Sequence, residues 1–289
     1  MDNDDLPIGR VLDRREALKF FALTGAAALV GCDRSSAAAA DASTVGTSAA
    51  ATGATASLPG CVVRPELTVG PYFVDNQLER IDIRSDPATG KVSTGKQLDV
   101  TFNVSQVSSG KCVPLKGAMV DVWHCDAAGE YSAVNDQQEG FNNVGKKFLR
   151  GYQLTDANGV ARFTTIYPGW YPGRTVHIHF KIRAPYTPGT NVAGAEKKYD
   201  FTSQLFFDDA MSEKVFAQAP YAAKGKRTGR NSDDGIFRES GDSLVLNVAS
   251  AGSVYSANFD IGLDLSDTKV GAEEQFGRGG AGGPPPPPR

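Results

Sequence analysis

Between about Leu58 and Val270 the chain is a succession of short runs in which apolar and polar residues alternate. Leu98-Asp99-Val100-Thr101-Phe102-Asn103-Val104 keeps a two-residue period, the pattern of a strand with one buried face. Ala118 to His124 keeps it less cleanly. Asp156-Ala157-Asn158-Gly159 is a turn signal, and Val160 to Thr165 after it reads as the next strand. Val176 to Ile182, Gln204 to Phe207 and Ser253 to Phe259 continue the series. Asp209 to Gln218 is the one stretch read as a helix. Short strands with Gly and Pro between them predict an all-β fold, a β-sandwich with few short helices. No internal repeat is visible.

The pattern breaks at both ends. Asp13-Arg14-Arg15-Glu16-Ala17-Leu18-Lys19-Phe20 sets paired arginines before the apolar run Phe20 to Gly31. That run falls short of the roughly 18 apolar residues a membrane span needs, and it suits the core of a signal peptide. The arginine pair resembles a twin-arginine (Tat) export signal. Leu29-Val30-Gly31-Cys32 resembles the lipobox of bacterial lipoproteins, which implies cleavage before Cys32 and lipidation of that cysteine. The competing reading is a buried amphipathic helix with an incidental Arg-Arg pair.

Ala, Ser, Thr and Gly dominate from Ala37 to about Ser57, with almost no bulky side chains, so this stretch cannot bury a core. As a flexible tether it would hold a domain on the order of 30 Å from the membrane. Phe276 to Arg289 is Gly-rich and ends in Pro284 to Pro288, a disordered or polyproline tail. The expected organisation is a lipoprotein-type signal peptide at 1–31, a tether at 32–58, a sandwich domain at 59–270 and a Gly/Pro-rich tail at 271–289. The predicted location is the cell envelope, with membrane contact through Cys32 only.

The net charge of −3 supplies no basic face, so no nucleic-acid partner is expected. Beyond Cys32 the cysteines are Cys61, Cys112 and Cys125. In an oxidising compartment that odd set predicts one disulfide and one buried thiol, with the pairing open. Oligomeric state is not written in the sequence.

The histidines are His124, His177 and His179. His177 and His179 stand two apart on a predicted strand, so both point to one face while Ile178 and Phe180 point to the other, presenting two imidazoles to a single ion. Tyr171 lies six residues earlier in the loop Pro168-Gly169-Trp170-Tyr171-Pro172-Gly173-Arg174, which runs straight into that strand. Tyr131 follows the turn Asp126-Ala127-Ala128-Gly129-Glu130. A phenol ionises near pH 10 when free, and a trivalent ion draws that down sharply. Two phenolates and two imidazoles make a hard, anionic site that favours Fe(III) over Fe(II), Cu(I) or zinc. His124 reads as a buried strand histidine with its hydrogen bonds satisfied, and Trp123 as core.

These segments carry a family resemblance. Gly117-Ala118-Met119-Val120-Asp121-Val122-Trp123, Asp126 to Ser132, Pro168 to Phe180 and Ser203-Gln204-Leu205-Phe206-Phe207 look like the intradiol ring-cleavage dioxygenases, which include protocatechuate 3,4-dioxygenase and catechol 1,2-dioxygenase. Thr68-Val69-Gly70-Pro71-Tyr72-Phe73 resembles the family's segment beside the substrate pocket. The resemblance runs from about Cys61 to Phe207. It implies non-haem Fe(III) held by Tyr131, Tyr171, His177 and His179, with Tyr171 and His179 axial. It implies that Arg174 stabilises negative charge on the bound diol, that Gln204 lies near the same ring, and that Tyr171 accepts a proton. The implied partners are a small aromatic diol and O2, and the implied product is a muconate-type dicarboxylate.

Two departures stand out. The loop from Tyr171 to His177 is shorter than in protocatechuate dioxygenase, and the long helical N-terminal region of catechol dioxygenases is missing. Both put the identity of the diol in doubt. Three rivals stay open at this level. One is a non-catalytic β-sandwich lipoprotein that binds an aromatic or a carbohydrate. Another is a cupin-like Fe(II) enzyme, for which no third ligand pattern is visible. The last is a metal with only a structural role.

Overall fold

The computed structural model describes residues 62–108, 111–184, 199–267 and 270. The signal segment, the tether and the Gly/Pro-rich tail expected from sequence lie outside the described residues, as do Cys32 and Cys61. Strands β1 to β9 are Gln97–Ser108, Lys111–Pro114, Met119–Trp123, Asn135–Asp136, Phe141–Asn142, Arg150–Leu154, Val160–Ile166, His177–Ala184 and Tyr199–Phe206. Helices α1 (Asp209–Phe216) and α2 (Gly235–Ser240) follow, and β10 (Val248–Ala251) and β11 (Val254–Leu263) close the domain.

Two sheets form the layers. In one, β10 pairs with β11, and β11 runs parallel to β1 with Leu98 opposite Tyr255 and Phe102 opposite Phe259. The other side of β1 takes β7 along its first half and β2 along its last residues. The second sheet runs β6-β3-β8-β9 and is antiparallel throughout.

The period-2 pattern explains what faces what. Leu98, Val100, Phe102 and Val104 on β1 are buried, as are Ile178, Phe180 and Ile182 on β8. The layers meet where Phe180 packs against Phe102 and Phe259, each ring centroid 5.4 Å away. Burying such a side chain contributes about 1.5–3 kcal/mol. The opposite face of the second sheet is thereby free to carry chemistry.

Where the pattern is weak, the sequence reading misses elements. β6 reads Arg-Gly-Tyr-Gln-Leu, without alternation. Its Gly151 serves close approach, because a Cβ there would meet Ile83 Cγ2 at 2.9 Å and Arg80 Cγ at 3.0 Å. The short strands β2, β4, β5 and β10 were likewise not legible. α1 ends at Phe216, two residues before the predicted limit, and is capped by the Asp208 carboxylate accepting from Met211 N. α2 was not predicted. Cys112 is disulfide-bonded and Cys125 is a buried free thiol, in line with the expected one disulfide and one buried thiol. Among the described residues no helix is long and apolar enough to cross a membrane.

Candidate metal centre

β8 has β3 on one side and β9 on the other, and register sets the row of side chains on its outer face. His179 lies opposite Trp123 on β3 and Gln204 on β9, and His177 lies opposite Phe206. His177 and His179 share this face, while Ile178 and Phe180 enter the core, as the two-residue period requires. The two Nε2 atoms stand 3.0 Å apart. Tyr171 Oη is 3.2 Å and Tyr131 Oη 3.4 Å from His177 Nε2. All four side chains are buried.

The tyrosines come from two loops locked together by glycines. The Asp126 carboxylate accepts from the amides of Ala128 and Glu130, which builds the turn before Tyr131. Gly169 N donates to the Asp126 carbonyl at 3.0 Å. A Cβ on Gly169 would sit 2.4 Å from Asp126 O, and one on Gly129 (φ +84°) 2.2 Å from Trp170 O. Only glycine allows backbones so close, and this contact sets the distance between Tyr131 and Tyr171. Lys224 reinforces it, lying 4.9 Å over the Trp170 ring and donating to the Ala128 carbonyl.

A third segment lies across the site. Gly70 abuts His179, where a Cβ would meet Cε1 at 3.2 Å. The Tyr72 ring stacks on Tyr131 with centroids 4.3 Å apart, and its hydroxyl donates to Asp136 on β4 at 2.5 Å. Phe73 packs on Trp123, and Trp123 stacks flat on His179 at 5.0 Å and 7°. These rings fix the orientation of His179 and help to bury it.

Two buried cations flank the tyrosines. Arg174 donates from Nη2 to Gln204 Oε1 at 2.6 Å and from Nε to Asp234 Oδ2 at 3.0 Å. Gln204 Nε2 donates to the Thr68 carbonyl at 3.2 Å. On the other side Arg150 is 2% exposed, donates to Ser132 O and Oγ, and places its guanidinium carbon 6.0 Å from the Tyr131 ring centroid. Burial lowers the Arg150 pKa to about 10, against a rise from the neighbouring Tyr131 and Asp121.

Burial also holds the imidazoles neutral. It depresses His177 to about 3, helped by the Arg174 charge, and pushes His179 well below the usual histidine range. Tyr131 is raised well above 10 by burial and by Tyr171 alongside, so by itself it is a neutral phenol. His177 Nδ1 lies 2.6 Å from the Thr175 carbonyl, which can only accept, so Nδ1 carries the proton and Nε2 presents a lone pair.

Three groups therefore converge on one lone pair that can accept a single proton. A cation among the four atoms resolves that crowding. N and O donors bound at about 2.0–2.2 Å to one first-row ion lie about 3 Å apart when they subtend a right angle, and the observed separations of 3.0–3.4 Å match. The donor set fits a hard, highly charged ion, since phenol oxygens bind as anions beside neutral nitrogens.

The structure brings together Tyr131, Tyr171, His177, His179, Arg174 and Gln204, the six residues singled out from sequence. His124 is set apart. Its Nδ1 donates to Cys125 O and its Nε2 accepts from Thr165 Oγ1, both at 2.7 Å, so neither nitrogen is left for a ligand. Sequence reasoning did not pick out Asp234, Arg150 or Asp136. The Arg150-Gly151 pair resembles any strand start, and Asp136 and Asp234 sit among other surface-type acids, so no signal marked them.

Residues 68–218, about half of the chain, match the family model described as Dioxygenase. The chain is 30% identical over 179 residues to the protocatechuate 3,4-dioxygenase beta chain of Burkholderia cepacia, covering 57% of this chain and 66% of the relative. It is 28% identical over 204 residues to a catechol 1,2-dioxygenase of Acinetobacter baylyi, covering 61% of this chain and 59% of that one. It thus spans less than two thirds of either relative. Among solved structures, an intradiol ring-cleavage dioxygenase from Tetranychus urticae superposes with a TM-score of 0.59 at 30% identity, over 71% of this chain and 96% of the other. With the sandwich, the grouped tyrosines and histidines and these matches in hand, the chain belongs to the intradiol ring-cleavage dioxygenase family.

Proposed function

We propose that this protein is an Fe(III)-dependent intradiol dioxygenase that opens catechol-type diols with O2 to muconate-type dicarboxylates. The observation that carries the reading is the convergence of two phenol oxygens and two imidazole nitrogens at 3.0–3.4 Å beside a buried arginine. Tyr131, Tyr171, His177 and His179 would hold the ion. Iron(III), when bound, would chelate both diol oxygens, draw electron density from the ring and lower the phenol pKa values.

The protein's own residues supply the rest. As a phenolate, Tyr171 Oη would accept a proton from a diol hydroxyl and become a neutral phenol, and Tyr171 is the most exposed of the four side chains at 9%. Arg174 puts a fixed positive charge where negative charge gathers on the diol, in a site with little water to screen it. Gln204 holds the Arg174 guanidinium in place. Tyr72, Phe73 and Trp123 pack along the histidine side. Protocatechuate, hydroxyquinol and lignin-derived catechols are the candidate substrates.

We also propose export by the twin-arginine signal around Arg14-Arg15 and anchoring through lipidated Cys32, read from the order of signal, lipobox and tether. Palmitate labelling of the expressed chain should mark it, and Cys32→Ala should abolish the label; equal labelling of both sinks the anchor.

The test of the enzyme is a visible spectrum of the iron-loaded protein before and after anaerobic catechol. The reading expects a tyrosinate-to-iron charge-transfer band that broadens and moves to the red. A colourless protein after iron loading removes the enzyme and leaves a sandwich that binds its ligand without iron.

A further inference from the structure

Arg174 uses two of its three nitrogens on protein partners. Nη2 goes to Gln204, on the neighbouring strand β9, and Nε goes to Asp234, 60 residues further along the chain. Among the described residues Nη1 has no hydrogen-bond partner, and it is not fully sealed from solvent. The clamp thus occupies the Nε/Nη2 edge of the guanidinium and leaves one arm turned outward.

Asp234 is well placed to be the fixed half of that clamp. It is 2% exposed. Its Oδ2 accepts from Arg174 Nε at 3.0 Å and from Thr175 N at 2.8 Å, so one oxygen grips both the side chain and the backbone beside it. Its Oδ1 accepts from Phe237 N at 3.0 Å, capping α2. The carboxylate is therefore held by a helix start on one oxygen and holds the arginine with the other. Asp234 lies beyond residues 68–218 that match the family model. Burial raises its pKa, but the Arg174 charge and the amides of Thr175 and Phe237 outweigh that and leave it below the ordinary carboxylate value.

We infer that Asp234 is a positioning residue for the reaction: it fixes the Nε edge of Arg174 so that Nη1 faces the bound diol. The inference rests on the diol-cleaving reading of the same site. A flexible arginine would spend most of its time in rotamers that miss the substrate, and a guanidinium pinned at two nitrogens does not. Asp234 makes no hydrogen bond to the four candidate ligands; it reaches the site through Arg174 Nε and, by the backbone, through Thr175, whose carbonyl holds His177 Nδ1.

The capping and clamping roles separate by substitution. Asp234→Ser keeps a good helix N-cap and removes the ion pair; Asp234→Asn keeps the size and removes the charge. In iron-loaded full-length protein, both should keep wild-type iron content and the resting visible band. Both should weaken anaerobic catechol binding and lower kcat/KM by about 10–100-fold, the usual scale for a residue that orients a site group. In an Arg174→Ala background, adding Asp234→Ser should cost less than about 2-fold more, because the guanidinium it positions is gone.

Wild-type kinetics in Asp234→Ser, or losses that multiply with those of Arg174→Ala, overturn the inference. If Asp234→Asn fails to fold, Asp234→Ser decides alone, since it preserves the cap. If neither variant folds, the carboxylate is needed for the fold and the positioning role is overturned. A wild-type protein that takes up no iron overturns the diol reading itself. A wild type that is coloured and active beside an unimpaired Asp234→Ser overturns only the role given to Asp234.

Discussion

His177 and His179 turn their Nε2 atoms toward each other at 3.0 Å, while the Nδ1 proton of His177 is committed to the Thr175 carbonyl. Two neutral imidazoles arranged in this way offer a lone-pair site to a metal and little else. His179→Ala removes one of the four donors and leaves an apolar gap beside Trp123 and Gly70. The expected outcome is loss of most bound iron, measured as metal per chain after loading and desalting. Stoichiometric iron in the variant would falsify the ligand assignment.

Tyr171→Phe deletes one phenol oxygen and changes little else in volume. The ring packs edge-on to Tyr72 and Tyr131, and those contacts survive. The visible band should shift or vanish while the far-UV dichroism stays unchanged. An unaltered band in the iron-loaded variant would mean that the colour, if any, comes from elsewhere.

Gly129→Ala tests the lock between the two tyrosine loops. The new Cβ would lie 2.2 Å from the Trp170 carbonyl, at a residue with φ +84°. Left-handed strain alone costs about 1–3 kcal/mol, and the overlap adds to it. Urea unfolding should show a stability loss of at least about 2 kcal/mol, accompanied by weaker iron retention. A loss below about 0.5 kcal/mol would show that the loops are not held by this contact.

Asp121 sits on the outer face of β3 with its carboxylate 3.5 Å from Arg183. Burial raises its pKa from 3.8 to about 7, against the pull of Arg183 and with a push from Asp75. The sign follows from linkage. Between pH 3.8 and about 7 the folded state holds a proton that the unfolded state has released, so this group makes stability fall as pH rises through that window. At about 1.4 kcal/mol per pKa unit, the fall is on the order of 4 kcal/mol at most. Asp121→Asn should remove it, so the stability difference between variant and wild type should grow in the variant's favour from about pH 4 to about pH 7. A difference that is flat with pH, measured by urea midpoints in matched buffers, would show that Asp121 does not titrate there.

Several features of the site are legible in the sequence. The alternation of β1 and β8 depends on a two-residue period that each strand carries within itself, so the face shared by His177 and His179 follows from local geometry. Tyr171 is six residues from His177, with a Pro/Gly loop between them, and its placement is also nearly local. Tyr131 and Gln204 were assigned by resemblance, and the fold supplies the geometry they needed: antiparallel pairing of β8 with β9 sets Gln204 opposite His179.

The sequence by itself therefore determined the sandwich, the histidine pair and the types of donor atom. Tertiary structure decided the electrostatics around them. Asp234 meets Arg174 across 60 residues, Arg150 meets Ser132 across 18, and Tyr72 meets Asp136 across 64. A lone Asp or Arg in a sequence looks like solvated surface, because most are. Asp234, Arg174 and Arg150 become buried, and Asp136 partly so, only once the sheets close and strip their water, when an unpaired buried charge would be too costly to keep. The same holds for Gly129 and Gly169, which read as turn residues and prove to be points where two backbones meet. Strand parity is a property of neighbours along the chain, and charge pairing and backbone contact are properties of neighbours in space.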